Sequence, residues 1–171
     1  IEDSMRRLEI LAFIEDFHNY YIEKNIDALK KIYADNVWVK HKATNSIVEA
    51  NYLKGEYHEE DKQQYITRLS NDIFVRYRYI NVDFDHITIE RCGTPGKTNY
   101  YGVNIHQNWA AINKSAAKDS QKASSDVDGW LFMLWEFKKD DPDPIIHVRT
   151  WQPDEIILND DSKVSMHDFK F

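Results

Sequence analysis

The hydrophobic pattern of this chain changes period near Tyr79, from about 3.6 to about 2, and this limits the architectures open to it. Upstream, Ile10, Phe13, Ile14, Phe17, Tyr20 and Tyr21 recur at helical spacing, with Glu9, Asp16 and Glu23 on the opposite side. The spacing predicts an amphipathic helix from about Ser4 to Lys24, entered through the acidic and capping residues Glu2, Asp3 and Ser4. Asn25 caps a second segment marked by Ile26, Leu29, Ile32 and Tyr33. Asp35 and Asn36 end it, and Val37, Trp38 and Val39 read as a strand. Residues 42–60 show no period and read as a loop. Asp61 followed by Gln64 has the form of a capping box, and Ile66, Leu69, Ile73 and Tyr77 carry a third helix to about Phe74.

Downstream the chain alternates. Val82 and Phe84 share one phase, Ile87 and Ile89 the other, which predicts a bulge near Asp85–His86. Residues 92–97, Cys-Gly-Thr-Pro-Gly-Lys, form a turn, and Tyr101, Val103, Ile105, Gln107 and Trp109 then alternate cleanly. The stretch from Asn113 to Gly129 is poor in apolar residues and reads as a long loop. Trp130 to Phe137 is apolar on both faces, and Ile145 to Gln152 is the last strand. Helices first and strands second predict an α+β fold: a bent, mainly antiparallel sheet wrapped around about three N-terminal helices. The chain has no internal repeat and no linker, so residues 1–171 read as one domain. It begins at Ile1, so a removed leader or a longer parent protein is expected.

Charge narrows the partners. Lys and Arg number 22 against 29 Asp and Glu, a net charge of −7 with no dense basic run. Nucleic-acid binding, which needs a basic face, is not expected. No apolar run approaches the roughly 20 residues of a spanning helix. Cys92 is the single cysteine, so neither an internal disulfide nor a thiolate metal cluster can form. No cofactor or metal is expected. His58, Glu59, Glu60 and Asp61 resemble ligands by type but lack the paired-histidine spacing of a helical zinc motif, and fit an acidic helix start. Asp83 and Asp85, beside His86, read as a solvated strand face, with an acid/base pair or metal site as the competing reading. No glycine-rich phosphate loop or nucleophile elbow is present.

Three stretches carry candidate binding chemistry. Gln107 and Trp109 extend the apolar face of Tyr101, Val103 and Ile105, which suits a cavity wall with one hydrogen-bonding group, or else a core strand whose end reaches solvent. His147, Arg149 and Trp151 alternate on the last strand. Either they rim a pocket, with Arg149 holding an anion and Trp151 stacking a ring, or they face solvent while Ile146 and Val148 face the core. If a small molecule binds, it is expected between the first helix and the concave sheet, near Tyr101, Gln107, Trp109, Arg149 and Trp151. The two apolar faces of Trp130–Phe137 predict a homodimer through the sheet's outer face, unless the tail around Phe169 and Phe171 covers it.

The stretch FHNYYIEKNIDALKKIYADNVWV resembles the helix–helix–strand opening of the nuclear-transport-factor-2-like superfamily, with Asp27 ahead of Leu29 and Tyr33. YYGVNIHQNW, GWLFMLWEF and IIHVRTWQPDEI resemble its later strands. The resemblance implies a cone-shaped, cystatin-like fold with a cavity. It extends to uncharacterised exported bacterial modules, which would place the chain in the periplasm or at the cell surface. The superfamily includes ketosteroid isomerases, dehydratases and polyketide cyclases, but no catalytic residue of theirs can be placed on a position here. The sequence therefore reads as a non-catalytic module that binds a small molecule or a protein. Its alternatives are an isomerase- or dehydratase-type enzyme using a cavity acid/base, and a structural dimerisation scaffold.

Overall fold

The computed structural model describes residues 2–41, 58–118, 122–139, 141, 143–154, 157 and 163–169. Helix α1 (Glu2–Ile22) leads into α2 (Ile26–Ile32), and β1 (Tyr33–His41) and the short β2 (His58–Glu60) follow. A third helical segment consists of α3 (Lys62–Arg68), a π-helical turn (Leu69–Ile73) and α4 (Phe74–Arg76). Four long strands complete the fold: β3 (Tyr77–Arg91), β4 (Tyr100–Asn113), β5 (Ser125–Glu136) and β6 (Ile145–Pro153). They build one six-stranded sheet in the order β2-β1-β6-β5-β4-β3. Only β1 and β6 run parallel; the other neighbours are antiparallel.

The capping signals at Asn25 and Asp61 act as the sequence implies, whereas α1 already runs from Glu2 and ends at Ile22, two residues ahead of the expected span at each end. Asn25 accepts a hydrogen bond from the Ala28 amide, and Asp61 and Gln64 cap each other reciprocally. Each satisfies helix-end donors that would otherwise lack partners. One face of α1, carrying Ile10, Phe13, Ile14, Phe17 and Tyr21, is buried against the concave sheet. Phe13 meets Trp135 of β5 edge to face at 5.1 Å between centroids. The bulge expected near Asp85–His86 lies between Phe84 and His86.

Three expectations need correction. Strand β1 starts at Tyr33, four residues earlier than Val37, because Tyr33 already pairs with Ile146 of β6 and its side chain is buried. Residues 58–60, expected in a loop, form β2; residues 42–57 lie outside the described residues. Strand β5 begins at Ser125, inside the stretch expected to be a loop as far as Gly129. There Asp126 and Asp128 both accept from the Asn108 side-chain amide, at 2.7 and 2.8 Å. Backbone pairing with β4 and this polar ladder hold a strand end that has almost no apolar content to reveal it.

The last strand changes face. Ile146 packs inward opposite Trp135, Val148 packs outward beside Leu134, and a register shift separates the two pairs. Beyond it Arg149 and Trp151 point into the concave side. His147 stays on the outer face, bonded to Glu136 at 2.7 Å and lying against Tyr100. The trio that alternates in sequence is thus divided by a bulge.

On the outer face Phe132, Leu134 and Val148 are buried by Val164, Met166 and Phe169. The Phe169 ring stacks on Phe132 at 5.8 Å and an interplanar angle of 6°. The apolar surface on which the homodimer expectation rests is therefore covered within the chain. Phe171 lies outside the described residues.

Candidate functional site

A cavity of about 410 Å³ lies between α1, the third helical segment and the concave faces of β3 to β6. Phe17, Leu69, Ile73, Val82 and Phe84 supply its apolar wall. Trp109 and Trp151 add two indoles, and Trp109 is held edge-on to Tyr77 at 5.2 Å. The π-helical turn places Leu69 and Ile73 on the wall between Arg68 and Arg76; its widened hydrogen bond runs from the Phe74 amide to the Leu69 carbonyl.

The cavity's polar end is a tyrosine cluster closed by an arginine. The Tyr21 hydroxyl bonds that of Tyr33 at 2.7 Å and also that of Tyr65. All three tyrosines are buried. The Arg149 guanidinium lies 5.2 Å from the Tyr65 ring centroid and 5.9 Å from that of Tyr21. Its Nε is buried without a hydrogen-bond partner, and it pairs with no carboxylate among the described residues. Burial acts to lower the guanidinium's pKa, but Tyr65, Tyr21 and Tyr33 outweigh it and hold the pKa above its ordinary value. Arg149 is therefore a permanent cation facing phenols.

Two further arginines line the cavity, and both are engaged. Arg68 forms a forked contact with Glu60, Nε lying 3.0 and 3.1 Å from the two carboxylate oxygens. Arg76 meets Asp72 at 2.5 Å. His18 also lines the wall, but its Nε2 donates to the Val82 carbonyl and its Nδ1 lies 3.3 Å from the Asn19 side chain. No Asp or Glu lines the cavity among the described residues.

Burial first, then the neighbouring phenols, hold the Tyr21 and Tyr33 hydroxyls above the usual phenol range, against the opposing pull of Arg149. A group whose folded pKa is raised contributes stability that is whole below its unfolded value, about 10 for tyrosine, and lost as pH rises through the folded value. We expect alkaline unfolding to set in above about pH 10. Tyrosinate absorbance should show Tyr21 and Tyr33 titrating only with unfolding. Free titration of all tyrosines in the folded protein would contradict this.

Four of the five expected ligand residues, Gln107, Trp109, Arg149 and Trp151, line this one cavity. Tyr101 does not. It shares the inward face of β4 but lies six residues from Gln107, roughly 20 Å along the strand, and packs edge-on against Phe137 in the core. Tyr21, Tyr65, Arg68, Arg76 and His18 were not anticipated. Their signal in the sequence is slight, because each belongs to a helix whose stripe already reads as ordinary core.

On the outer face, Asp83 accepts from Asn81, while Asp85 contacts His86 and His106, so the expected solvated pair has two separate settings. The His106 hydrogen bond and, less strongly, that of His86 hold Asp85 below the usual carboxylate range. Of the acidic run at 58–61, Asp61 caps α3 and Glu60 holds Arg68.

No family model matches this sequence, and no curated protein matches it. Solved structures do. ActVI-ORFA from Streptomyces coelicolor superposes with a TM-score of 0.62 at 9% identity, over 87% of this chain and 97% of its own. A candidate scytalone dehydratase from Novosphingobium aromaticivorans gives 0.65 at 12% identity, over 88% and 85%. A nuclear transport factor 2 (NTF2-like) superfamily protein from Salmonella enterica serovar Typhimurium gives 0.64 at 10%, over 88% and 92%. The fold and its cavity define a cone-shaped α+β protein whose sheet curls around its helices. The chain has the nuclear-transport-factor-2-like fold.

Proposed function

We propose that the cavity binds a small, mainly apolar or aromatic molecule carrying a carboxylate, and that the chain acts as a binding module for it. The observation behind this reading is Arg149, whose buried Nε has no partner and whose charge faces phenols instead of a carboxylate. A buried cation without a counter-ion is costly unless a ligand supplies one. An aromatic carboxylate would place its charge on Arg149, accept from the Tyr21–Tyr65 cluster, and lay its ring between Trp109 and Trp151. A cavity of about 410 Å³ suits such a molecule.

The test is a pair of isosteres, a naphthoate and its neutral amide, titrated into the protein with quenching of Trp109 and Trp151 fluorescence as the readout. The carboxylate is expected to bind about tenfold or more tightly than the amide, since hydrogen bonds to charged groups contribute about 1.5–3 kcal/mol. Equal affinities, or no saturable quenching by either, would sink the reading.

One observation favours an enzyme of the isomerase or dehydratase kind as the second reading: the His18 ring shares the wall with Tyr21 and Tyr65. The likeness to a candidate scytalone dehydratase is compatible with it, but at 12% identity it carries the fold alone. Against it, the His18 Nε2 is engaged by the Val82 carbonyl, Nδ1 lies 3.3 Å from the Asn19 side chain, and no carboxylate lines the cavity among the described residues. Incubating an aryl ketone acid with the protein in deuterium oxide separates the readings. Exchange at the α-carbon that disappears in His18→Gln establishes the enzyme; a probe recovered unlabelled supports the binding module.

A further inference from the structure

The outer face of the sheet carries a group of side chains that the cavity does not use. The register pairs His86 of β3 with His106 of β4 and leaves Asp85 as the extra residue of the bulge. A bulge sets two successive residues of one strand against a single residue of its partner. Here it collects Asp85, His86 and His106, so that one ligand atom from each lies within 4.8 Å of the others. Asp85 Oδ1 is 2.6 Å from His106 Nδ1 and 3.2 Å from His86 Nδ1. The His86 side chain is 74% exposed and that of His106 is 19% exposed.

A second observation concerns the far side of the His106 ring. Its Nε2 lies 2.9 and 3.1 Å from the two oxygens of Asp154, which directly follows β6. Imidazoles that ligate metals almost always donate their other N–H to a carboxylate, a backbone carbonyl or water, which fixes the tautomer and the ring plane. With the Nε2 proton held by Asp154, the Nδ1 proton that His106 donates to Asp85 is the one a cation would displace, and the freed lone pair would face Asp85 and His86. Trp130 lies 5.0 Å from the His106 ring and, with Ile157, walls a hollow of about 330 Å³ over these residues.

We propose that Asp85, His86 and His106 form a binding site for a divalent transition cation of the zinc class, with Asp154 as the outer carboxylate that orients His106. Two imidazoles and one carboxylate suit zinc, whereas calcium and magnesium prefer an all-oxygen shell. Bonds of about 2.0–2.2 Å set the donor atoms about 3.5 Å apart, so the exposed Asp85 carboxylate must open its 2.6 Å contact with His106 while the exposed His86 turns in to complete the set. The remaining coordination position faces the open side, for water. Lys163 Nζ lies 4.0 Å over the Trp130 ring that walls the hollow.

A competing account treats Asp85–His106–Asp154 as a closed hydrogen-bonded clamp that pins the end of β6 to β4 without any ion. The two accounts differ on His86, which the clamp does not need. The experiment titrates zinc chloride into the metal-free full chain at neutral pH by calorimetry, with cobalt(II) absorption as a second readout. We expect one equivalent bound with a micromolar dissociation constant and a higher melting temperature with zinc. Excess calcium should not compete. His86→Ala should weaken binding at least about tenfold without changing the metal-free melt, and Asp154→Asn about 10–100-fold, as outer-shell losses do. Native protein without saturable zinc binding, or unchanged affinity in His86→Ala, overturns the site. Because His86 is exposed, that variant decides the matter even if Asp154→Asn fails to fold.

Discussion

Replacing Arg149 by methionine is expected to raise the melting temperature of the free protein while removing its affinity for a carboxylate ligand. The two effects have one cause. The guanidinium loses water on entering the cavity wall, and no described carboxylate repays it. Its contacts with the Tyr21 and Tyr65 rings, at 5.9 and 5.2 Å, lie near the outer limit for cation–π attraction, worth about 1–2 kcal/mol each in a desolvated site, and Tyr21 also hydrogen-bonds it. Effective desolvation amounts to several kcal/mol per ion, so the uncompensated part prevails. Methionine has similar reach, fills irregular space and needs no partner. A gain of about 1 kcal/mol corresponds to about 2–4 °C in a domain of this size. Binding should move the opposite way. Truncating one partner of a buried, hydrogen-bonded charge pair costs about 2–5 kcal/mol, so the naphthoate of the binding test should lose about 30-fold or more in affinity. Calorimetric melts of the free protein and fluorescence titrations check the two arms separately. A variant that melts lower and still binds would mean that Arg149 props up the tyrosine cluster and is not the anion's partner.

That opposition of stability and binding is what a chain adapted to hold a ligand would show, since sites built for function sit away from the stability optimum. It also explains how much of the site the sequence could disclose. Trp109, Gln107, Arg149 and Trp151 could be named as candidates because they stand on strands, where a period of about 2 assigns each residue to one of two faces, although on the last strand the choice between those faces stayed open. On the last strand the trio of His147, Arg149 and Trp151, open between rim and solvent, divides between the two faces, since a bulge changes the phase between Ile146 and Val148 and leaves no mark in composition. The bulge at Asp85 was legible only because apolar residues on both sides of it recorded the change of phase. Tyr21 and Tyr65 are harder cases. Each belongs to a helical stripe, and nothing local distinguishes a tyrosine whose hydroxyl meets two others from one that merely fills the core. Tyr101 was misplaced for the converse reason: periodicity gives the face of a strand but not how far along it the cavity extends. Strand β5 was half hidden because Asn108, Asp126 and Asp128 hold its first residues by polar contacts.

Gly129→Ala is expected to destabilise the fold by about 3 kcal/mol, the upper end for added core volume, lowering the melting temperature by about 6–12 °C. The reason is space, not backbone conformation. A Cβ built on Gly129 falls 2.5 Å from the Gln152 carbonyl oxygen and 2.6 Å from the Trp151 ring atoms Cη2 and Cζ2. Gly129 stands opposite Pro153, where β5 and β6 pair, and the Trp151 indole lies across it. Were the ring the only obstacle, rotation of one side chain would relieve the clash. The carbonyl oxygen belongs to the backbone of β6, where Gln152 pairs with Trp130, and it cannot retreat without disturbing the β5–β6 ladder. The same substitution should weaken ligand binding, since any ring displacement moves Trp151 within the cavity wall. Gly93→Ala is the control: no atom lies within 4 Å of its added Cβ, so a change within about 0.5 kcal/mol is expected. A double variant, Gly129→Ala with Trp151→Ala, apportions the clash. Partial recovery relative to the sum of the single effects would show that the ring carries part of the strain, and the remainder belongs to the Gln152 carbonyl. A Gly129→Ala protein that melts with the native one would mean that β5 and β6 are not packed this closely at Trp151, and the cavity wall would then have to be redrawn on that side.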